Sequence, residues 1–313
     1  DGYYQYDFTN MFTDIKDLIA PYDLKFYNQE TVIGGKSLGL SHYPRFNSPD
    51  EIGLDLIKTG FNVVNLASNH TLDKGEIGAM YSATFWENQS DIYAVGSYTS
   101  WDNRNRVRVE EKNGINYSIL SYTYGTNGLP VPAGKEYLVN VYRDEQVKID
   151  IEKVRDQVDL LIVSMHWGTE YQHEPNDTQR EQAKYLASLG VDVIIGHHPH
   201  VIQPIEFIDD TLVIYSLGNF ISAQNGVNKR IGMMAAFTFQ KVMTDGITTD
   251  YFLSDVKSDL LWTHSVSSTQ FKVIPFSNVT EDHLSHSKEI YEQYKQIINP
   301  STDPRIQVGF FET

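Results

Sequence analysis

Four apolar runs of this chain end in side chains that bind cations or move protons. Leu66-Ala67-Ser68 leads into Asn69-His70, Ile162-Val163-Ser164-Met165 into His166, Ile194-Ile195-Gly196 into His197-His198-Pro199-His200, and Val213-Ile214-Tyr215-Ser216-Leu217 into Gly218-Asn219. Apolar runs of this length read as buried strands, and in open α/β sheets ligands bind outside the carboxyl ends of the strands. Imidazoles recurring there point to distant segments serving one site. The chain has no cysteine, so disulfides and thiolate metal sites are excluded and any ion must be held by nitrogen and oxygen.

His198 and His200 are two apart, so in an extended segment both rings face the same way, stiffened by Pro199 between them. They suit two ions or one shared site; a hydrogen-bonded polar loop is the alternative. His166 precedes Trp167-Gly168-Thr169-Glu170. A single strand-end histidine is commonly structural, but a second histidine-bearing strand end favours a ligand. Trp167 and Glu170 either face a substrate or, respectively, pack and lie solvated in a loop. Asn69 offers an amide oxygen to a hard cation and His70 offers a proton. Asp73 either orients His70, as carboxylates do for imidazoles, or caps the next helix. Glu30 in Asn28-Gln29-Glu30 is the candidate bridging carboxylate, otherwise a surface acid. Asn219 contacts substrate or closes a turn. His42, His173, His264, His283 and His286 lack motif context and read as surface residues.

The elements that must position these groups alternate. The pattern predicts a helix over 6–20, a strand over 24–30, a helix with Ser48 as N-cap and Pro49 in its first turn ending at Gly60, and a strand over 62–67. A helix over 75–88 and a strand over 91–95 follow. Asn113-Gly114 supplies a hairpin turn between 106–110 and 115–122. Then come a helix over 149–157, a strand over 160–164, a helix over 178–189 capped by Asp177, and a strand over 191–195. Strands alternating with helices imply parallel crossovers. Beyond Phe220 the character changes to antiparallel strands over 233–241, 248–256 and 271–275, with a final helix over 281–298.

At 313 residues, without repeats or an obvious linker, the chain reads as one large α/β domain. Its formal net charge of −16 and lack of a basic stripe argue against a nucleic-acid partner. The apolar runs are strand length, so no membrane span is expected within it. The lack of cysteine suits an exported or a cytosolic protein.

Together these segments resemble the CapA family of capsule or poly-γ-glutamate synthesis proteins, which is similar to the calcineurin-like metallophosphoesterases. The matching text is Asn28-Gln29-Glu30, Ala67-Ser68-Asn69-His70 with Asp73 and Gly75, His166-Trp167-Gly168 with Glu170-Tyr171, Gly196-His197-His198-Pro199-His200 and Tyr215-Ser216-Leu217-Gly218-Asn219-Phe220. It spans Tyr6 to roughly Lys241, about three-quarters of the chain. The resemblance implies an α/β fold with a β-sandwich flanked by helices in four layers, α/β/β/α. It implies one domain over residues 1–313, completed by the strands and helix of 231–313.

It also implies a metal-dependent, phosphoesterase-like hydrolase using divalent Mn, Zn or Fe. Glu30 would bridge, Asn69, His166, His198 and His200 would complete the ligands, and His70 would be the general acid with Asp73 behind it. His197, Trp167, Glu170 and Asn219 would line the substrate side. In two-metal hydrolysis, ions about 3.5–4 Å apart stabilise the attacking and leaving oxygens. One departure stands out. The family's first strand carries an Asp, often within Gly-Asp, whereas this chain starts Asp1-Gly2-Tyr3, so that strand is expected to be absent. One metal position then keeps Glu30, Asn69, His166 and His198, the other only Glu30 and His200, and at most one ion is expected to bind tightly.

The implied setting is the cell surface, with anchoring through a segment upstream of Asp1. The implied partners are an envelope polymer or phosphoester and other capsule-synthesis proteins. The competing expectation is a non-catalytic scaffold or binding subunit of a polymer synthesis or export complex. A polyanionic polymer would have to overcome the charge of the chain by metal bridging or a local basic patch, and the sequence shows only scattered Lys and Arg.

Overall fold

Residues 6–309 are described by the computed structural model, and Asp1 lies outside them. Thirteen strands occur among the described residues: β1 (Phe26–Asn28), β2 (Val63–Asn65), β3 (Tyr93–Val95), β4 (Glu110–Lys112), β5 (Ile115–Thr123), β6 (Leu160–His166), β7 (Val193–His197), β8 (Ile202–Ile208), β9 (Thr211–Leu217), β10 (Ile231–Thr244), β11 (Ile247–Val266), β12 (Thr269–Pro275) and β13 (Ile306–Val308). They form a three-stranded sheet β1-β2-β3, a six-stranded sheet β4-β5-β6-β7-β9-β8, and a four-stranded sheet β10-β11-β12 with β13 on β11. The chain groups into two compact units. The first takes the described residues up to Arg108, then Ile119–Lys153 and Ser164–His166; the second takes Val109–Ser118, Val154–Val163 and the described residues from Trp167 onward.

In the first unit β1, β2 and β3 pair in parallel, in register Asn28 with Asn65 and Asn65 with Val95. Val63 and Val64 of β2 are buried, as are Ile33, Ala79 and Trp86. Burying such side chains stabilises the fold by roughly 1.5–3 kcal/mol each. The helices Asp50–Thr59 and Gly75–Glu87 supply the crossovers. In the second unit β7 runs parallel to β9, and β8 returns antiparallel along β9. Ile194, Val213, Ile205 and Leu260 are fully buried there.

Local chemistry moved several boundaries. The expected helix over 6–20 is a 3₁₀ turn at Thr9–Phe12 followed by an α-helix at Thr13–Ile19. It starts late because the Asp7 carboxylate takes the Thr9 amide at 2.9 Å. Ser48 is not an N-cap: its hydroxyl pairs with Thr31 at 2.7 Å, and the helix begins at Asp50 after an extended Pro49. Asp177 is the first helical residue rather than the cap. Asn176 accepts from the Gln179 amide and Gln179 accepts from the Asn176 amide, a reciprocal capping box. The helix expected over 149–157 already starts at Asp144, and the last helix starts only at Ser287. The Asn113-Gly114 hairpin turn is present, with φ of 53° and 77° joining β4 to β5. β11 runs on to Val266, because its far half pairs with β12.

Candidate metal centre

Glu30, Asn69, His70, Asp73 and His166 all belong to the first unit, and a short buried loop sets most of them. After β2, fully buried Asn65 donates to the Asn28 side chain at 2.7 Å and accepts the Ala67 amide at 3.0 Å, turning the chain sharply. The Ser68 hydroxyl donates to the Glu30 carbonyl at 2.8 Å, which ties the end of β1 to this turn. Thr71 closes it by donating to the Leu66 carbonyl at 2.8 Å. Leu72 anchors the loop in a cluster with Ala79, Leu138 and Val139.

On that platform Asn69 Oδ1 lies 2.9 Å from His166 Nε2, across 97 residues of sequence. The Asn69 amide nitrogen donates to Asn127 at 3.2 Å, which assigns the oxygen to the His166 side. Glu30 Oε1 is 3.9 Å from the same Nε2. His166 is completely buried, with Tyr124 stacked on its ring at 6.3 Å. The next residue along, His70, turns Nδ1 to Asp73 Oδ2 at 2.7 Å, and that carboxylate also accepts the Phe46 amide at 2.7 Å. Asp73 therefore orients His70 and makes no cap hydrogen bond to the helix that follows. Since a carboxylate only accepts, Nδ1 carries the proton and Nε2 is the working nitrogen. Phe46 packs edge-on against the His70 ring at 4.7 Å.

His197, His198, His200, Trp167, Glu170 and Asn219 belong to the second unit. His198 and His200 are not in an extended segment: their φ angles are +100° and +59°. A turn, rather than strand alternation, brings their ring centroids to 5.8 Å and a donor nitrogen of each within 4.8 Å of the other. Left-handed backbone at non-glycine residues is strained by about 1–3 kcal/mol and clusters at functional sites. Gly196, just before them, permits the approach, because a Cβ there would meet the Tyr215 carbonyl oxygen at 1.9 Å. Asn219 Oδ1 accepts from His200 Nδ1 at 2.9 Å, and Asn219 Nδ2 donates to the Lys229 carbonyl at 2.8 Å. The asparagine thus fixes His200 with its lone pair on Nε2, as partners behind metal-binding histidines do.

The remaining candidates have other surroundings. His197 is buried, and that burial pushes its pKa down to about 3, so the ring is neutral at physiological pH. Trp167 lies in the core, donating Nε1–H to the Tyr215 carbonyl at 2.9 Å and stacking on the Tyr215 ring. Glu170 is exposed. Among the histidines expected at the surface, His173 is half-buried and bonded through Nδ1 to the Ile202 carbonyl at 2.8 Å.

The donors fit a borderline or hard divalent cation. They are imidazole, amide oxygen and carboxylate without thiolate, the types that suit Zn, Mn or Fe rather than a soft ion. Two ligand atoms about 2.1 Å from one ion and at right angles to it lie about 3 Å apart. The 2.9 Å between Asn69 Oδ1 and His166 Nε2 has that spacing.

The model for the bacterial capsule synthesis protein PGA_cap matches residues 1–224. The chain belongs to this family. The match stops short of Lys241, where the motif resemblance was expected to fade. The PGA biosynthesis protein CapA of Bacillus subtilis is 33% identical over 183 residues, covering 58% of this chain and 48% of that protein. The capsule biosynthesis protein CapA of Bacillus anthracis is 31% identical over 172 residues, covering 53% and 41%. The chain thus spans about half the length of the curated relatives it matches. A solved Staphylococcus aureus protein described as a candidate 5′-nucleotidase superposes with a TM-score of 0.52 at 14% identity, over 95% of this chain and 55% of that one. That likeness concerns the fold, which is α/β of the calcineurin-like metallophosphoesterase type.

Sequence reasoning missed Asn127, Phe46 and Tyr124, which brace Asn69, His70 and His166. None lies near a histidine motif, and only the fold brings them there. Tyr171 was quoted among the matching motifs without a role; it stacks on His200 at 6.0 Å.

Proposed function

We propose that this chain handles a capsule or poly-γ-glutamate polymer, or a phosphoester linked to its synthesis, at the cell envelope, and that its site is a metal-dependent, phosphoesterase-like hydrolase. Asn69 and His166, with Glu30 3.9 Å from the same imidazole nitrogen, are the proposed ligands of one tightly held divalent ion, and His198 and His200 are proposed as a further pair of donors. Membership of the capsule-synthesis family and the donor chemistry support the reading. The observation that carries it is the placement of a ligand and an acid on consecutive residues: Asn69 sits against His166 at 2.9 Å, while His70 is backed by Asp73 at 2.7 Å.

Once bound, the ion would lower the pKa of a water and offset charge developing on a phosphorus centre. The protein's own residues do the rest. Asn69 is held by its hydrogen bond to Asn127, and the bond between His166 Nε2 and Asn69 Oδ1 would be replaced by an ion, with the imidazole proton on Nδ1. His70 Nε2 gives a proton to the departing oxygen, a step worth about 10²–10⁴-fold when the acid is well placed. Asp73 fixes the tautomer and stabilises the charged ring. Asn219 orients His200. Anchoring to the membrane and assembly with other capsule-synthesis proteins belong to the same proposal. Among the described residues no helix is long and apolar enough to cross a membrane.

The deciding experiment compares the wild type with His166→Ala and His198→Ala on a generic phosphodiester and monoester in Mn²⁺. Turnover lost in both variants supports the hydrolase, and calorimetry then gives one Mn²⁺ per chain. Equal background in all three proteins sinks it in favour of a binding subunit.

A further inference from the structure

We propose that Lys229, laid over Tyr171 beside His200, recognises an oxyanion carried by the substrate: a phosphate group or a polymer carboxylate. The inference deepens the hydrolase reading and rests on it only for the identity of the neighbouring site. Tyr171 stacks on His200 at 6.0 Å with 28° between the rings, and its amide donates to the Pro199 carbonyl at 2.7 Å, which ties the ring to the segment that carries His200. The Lys229 Nζ sits 4.8 Å from the centre of that same ring. Backbone makes the second link. The Lys229 carbonyl accepts from Asn219 Nδ2 at 2.8 Å, and Asn219 Oδ1 holds His200 Nδ1 at 2.9 Å. Lys229 is therefore tied to His200 by two routes, one through its side chain and one through its main chain. Gln224 braces both, bonding Asn219 at 2.9 Å and the Tyr171 hydroxyl at 3.4 Å.

Charge sets this place apart. In the second unit Arg155 pairs with Asp192, Arg180 with Glu174, Lys241 with Asp159, Lys295 with Glu292 and Arg305 with Asp303. Lys229 instead rests on an aromatic face, and Arg230 next to it donates to the Ser265 hydroxyl at 3.0 Å and the Gln224 carbonyl at 3.3 Å. Two adjacent cations on neutral partners form a local positive spot in a chain of net charge −16. That is the local feature a polyanion or phosphoester needs to approach such a protein. A lysine on a tyrosine face gives a strong charge only a modest neutral partner. An arriving oxyanion displaces nothing costly.

The test is titration calorimetry at low salt with inorganic phosphate, with tetraglutamate and with uncharged tetraglutamine, on the wild type, Lys229→Gln and Lys229→Arg, plus Mn²⁺ titration of each. Substituting the side chain leaves the Lys229 carbonyl in place to hold Asn219, so fold and Mn²⁺ affinity should not change. We expect Lys229→Gln to weaken one of the two anions about tenfold, Lys229→Arg to keep most of the affinity, and tetraglutamine not to bind. Phosphate alone weakened identifies a phosphoester group; tetraglutamate alone weakened identifies a polymer carboxylate. Equal affinity of wild type and Lys229→Gln for both anions overturns the proposal. Anion binding that depends on Lys229 in a protein without turnover would sink the hydrolase and leave this inference standing.

Discussion

The two donor-bearing regions reach order by different means. In the first unit Asn69, His70 and His166 sit on ordinary backbone, and buried side-chain bonds to Asn127 and Asp73 aim them. In the second unit the backbone does the aiming. His198 and His200 hold φ angles of +100° and +59°, and Asn219 is the side chain that trims His200. The contrast separates two costs. Removing a side chain from the first region leaves buried polar groups without their partner, which is expensive. In the second region only glycine, which lacks a Cβ, relieves the backbone strain, so a His-to-Gly change can lose function while gaining stability over the alanine variant.

His166→Ala should show the largest effect. It should cut Mn²⁺ affinity by more than about 100-fold, beyond the range for residues that only support a ligand, and lower the urea midpoint by opening a fully buried space. Unchanged Mn²⁺ titration would remove the first region from the metal site. Asp73→Asn comes next. Turnover should fall about 10–100-fold with Mn²⁺ binding intact, since the carboxylate acts through His70; an unaltered rate would reduce the dyad to a structural contact.

His198→Gly and His198→Ala sharpen the comparison most directly. Both should weaken the ion, but glycine at φ +100° should raise stability over alanine by about 1 kcal/mol. Equal unfolding midpoints would show that the turn stores no strain. The smallest effect is expected away from both regions, at Asp159. Burial alone would raise its pKa, but hydrogen bonds from Tyr251, the Asn116 amide and Lys241 outweigh burial and hold it below 3.8. A carboxylate with a lowered folded pKa stabilises above its unfolded value, and that contribution fades as the pH falls below 3.8 toward the folded one. Asp159→Asn should therefore lower stability at neutral pH and flatten the acid limb of a denaturation curve; an acid limb matching the wild type would refute the assignment.

Much of this was legible in order and little in contact. Period and length located β6, β7 and β9 and the helix Gly75–Glu87, because a buried strand and a half-buried helix each impose a repeat on their own residues. The helix starts were misjudged at Ser48 and Asp177 because several polar residues compete for each cap, and geometry chooses one. The His-Pro-His segment was read as extended, whereas His198 and His200 hold φ angles of +100° and +59°. Lys and Arg looked scattered, yet the fold lays Lys229 over Tyr171.

By itself the sequence determined which donor types end which apolar runs, the exclusion of thiolate chemistry, and the membership of a family whose motifs lie in fixed order. Those properties are local, since each depends on a few consecutive side chains. The tertiary structure alone decided that Asn69 faces His166 across 97 residues, which nitrogen of His70 and His200 works, and where an unneutralised cation stands. Such contacts depend on how whole elements pack, and no short stretch of chain contains that information.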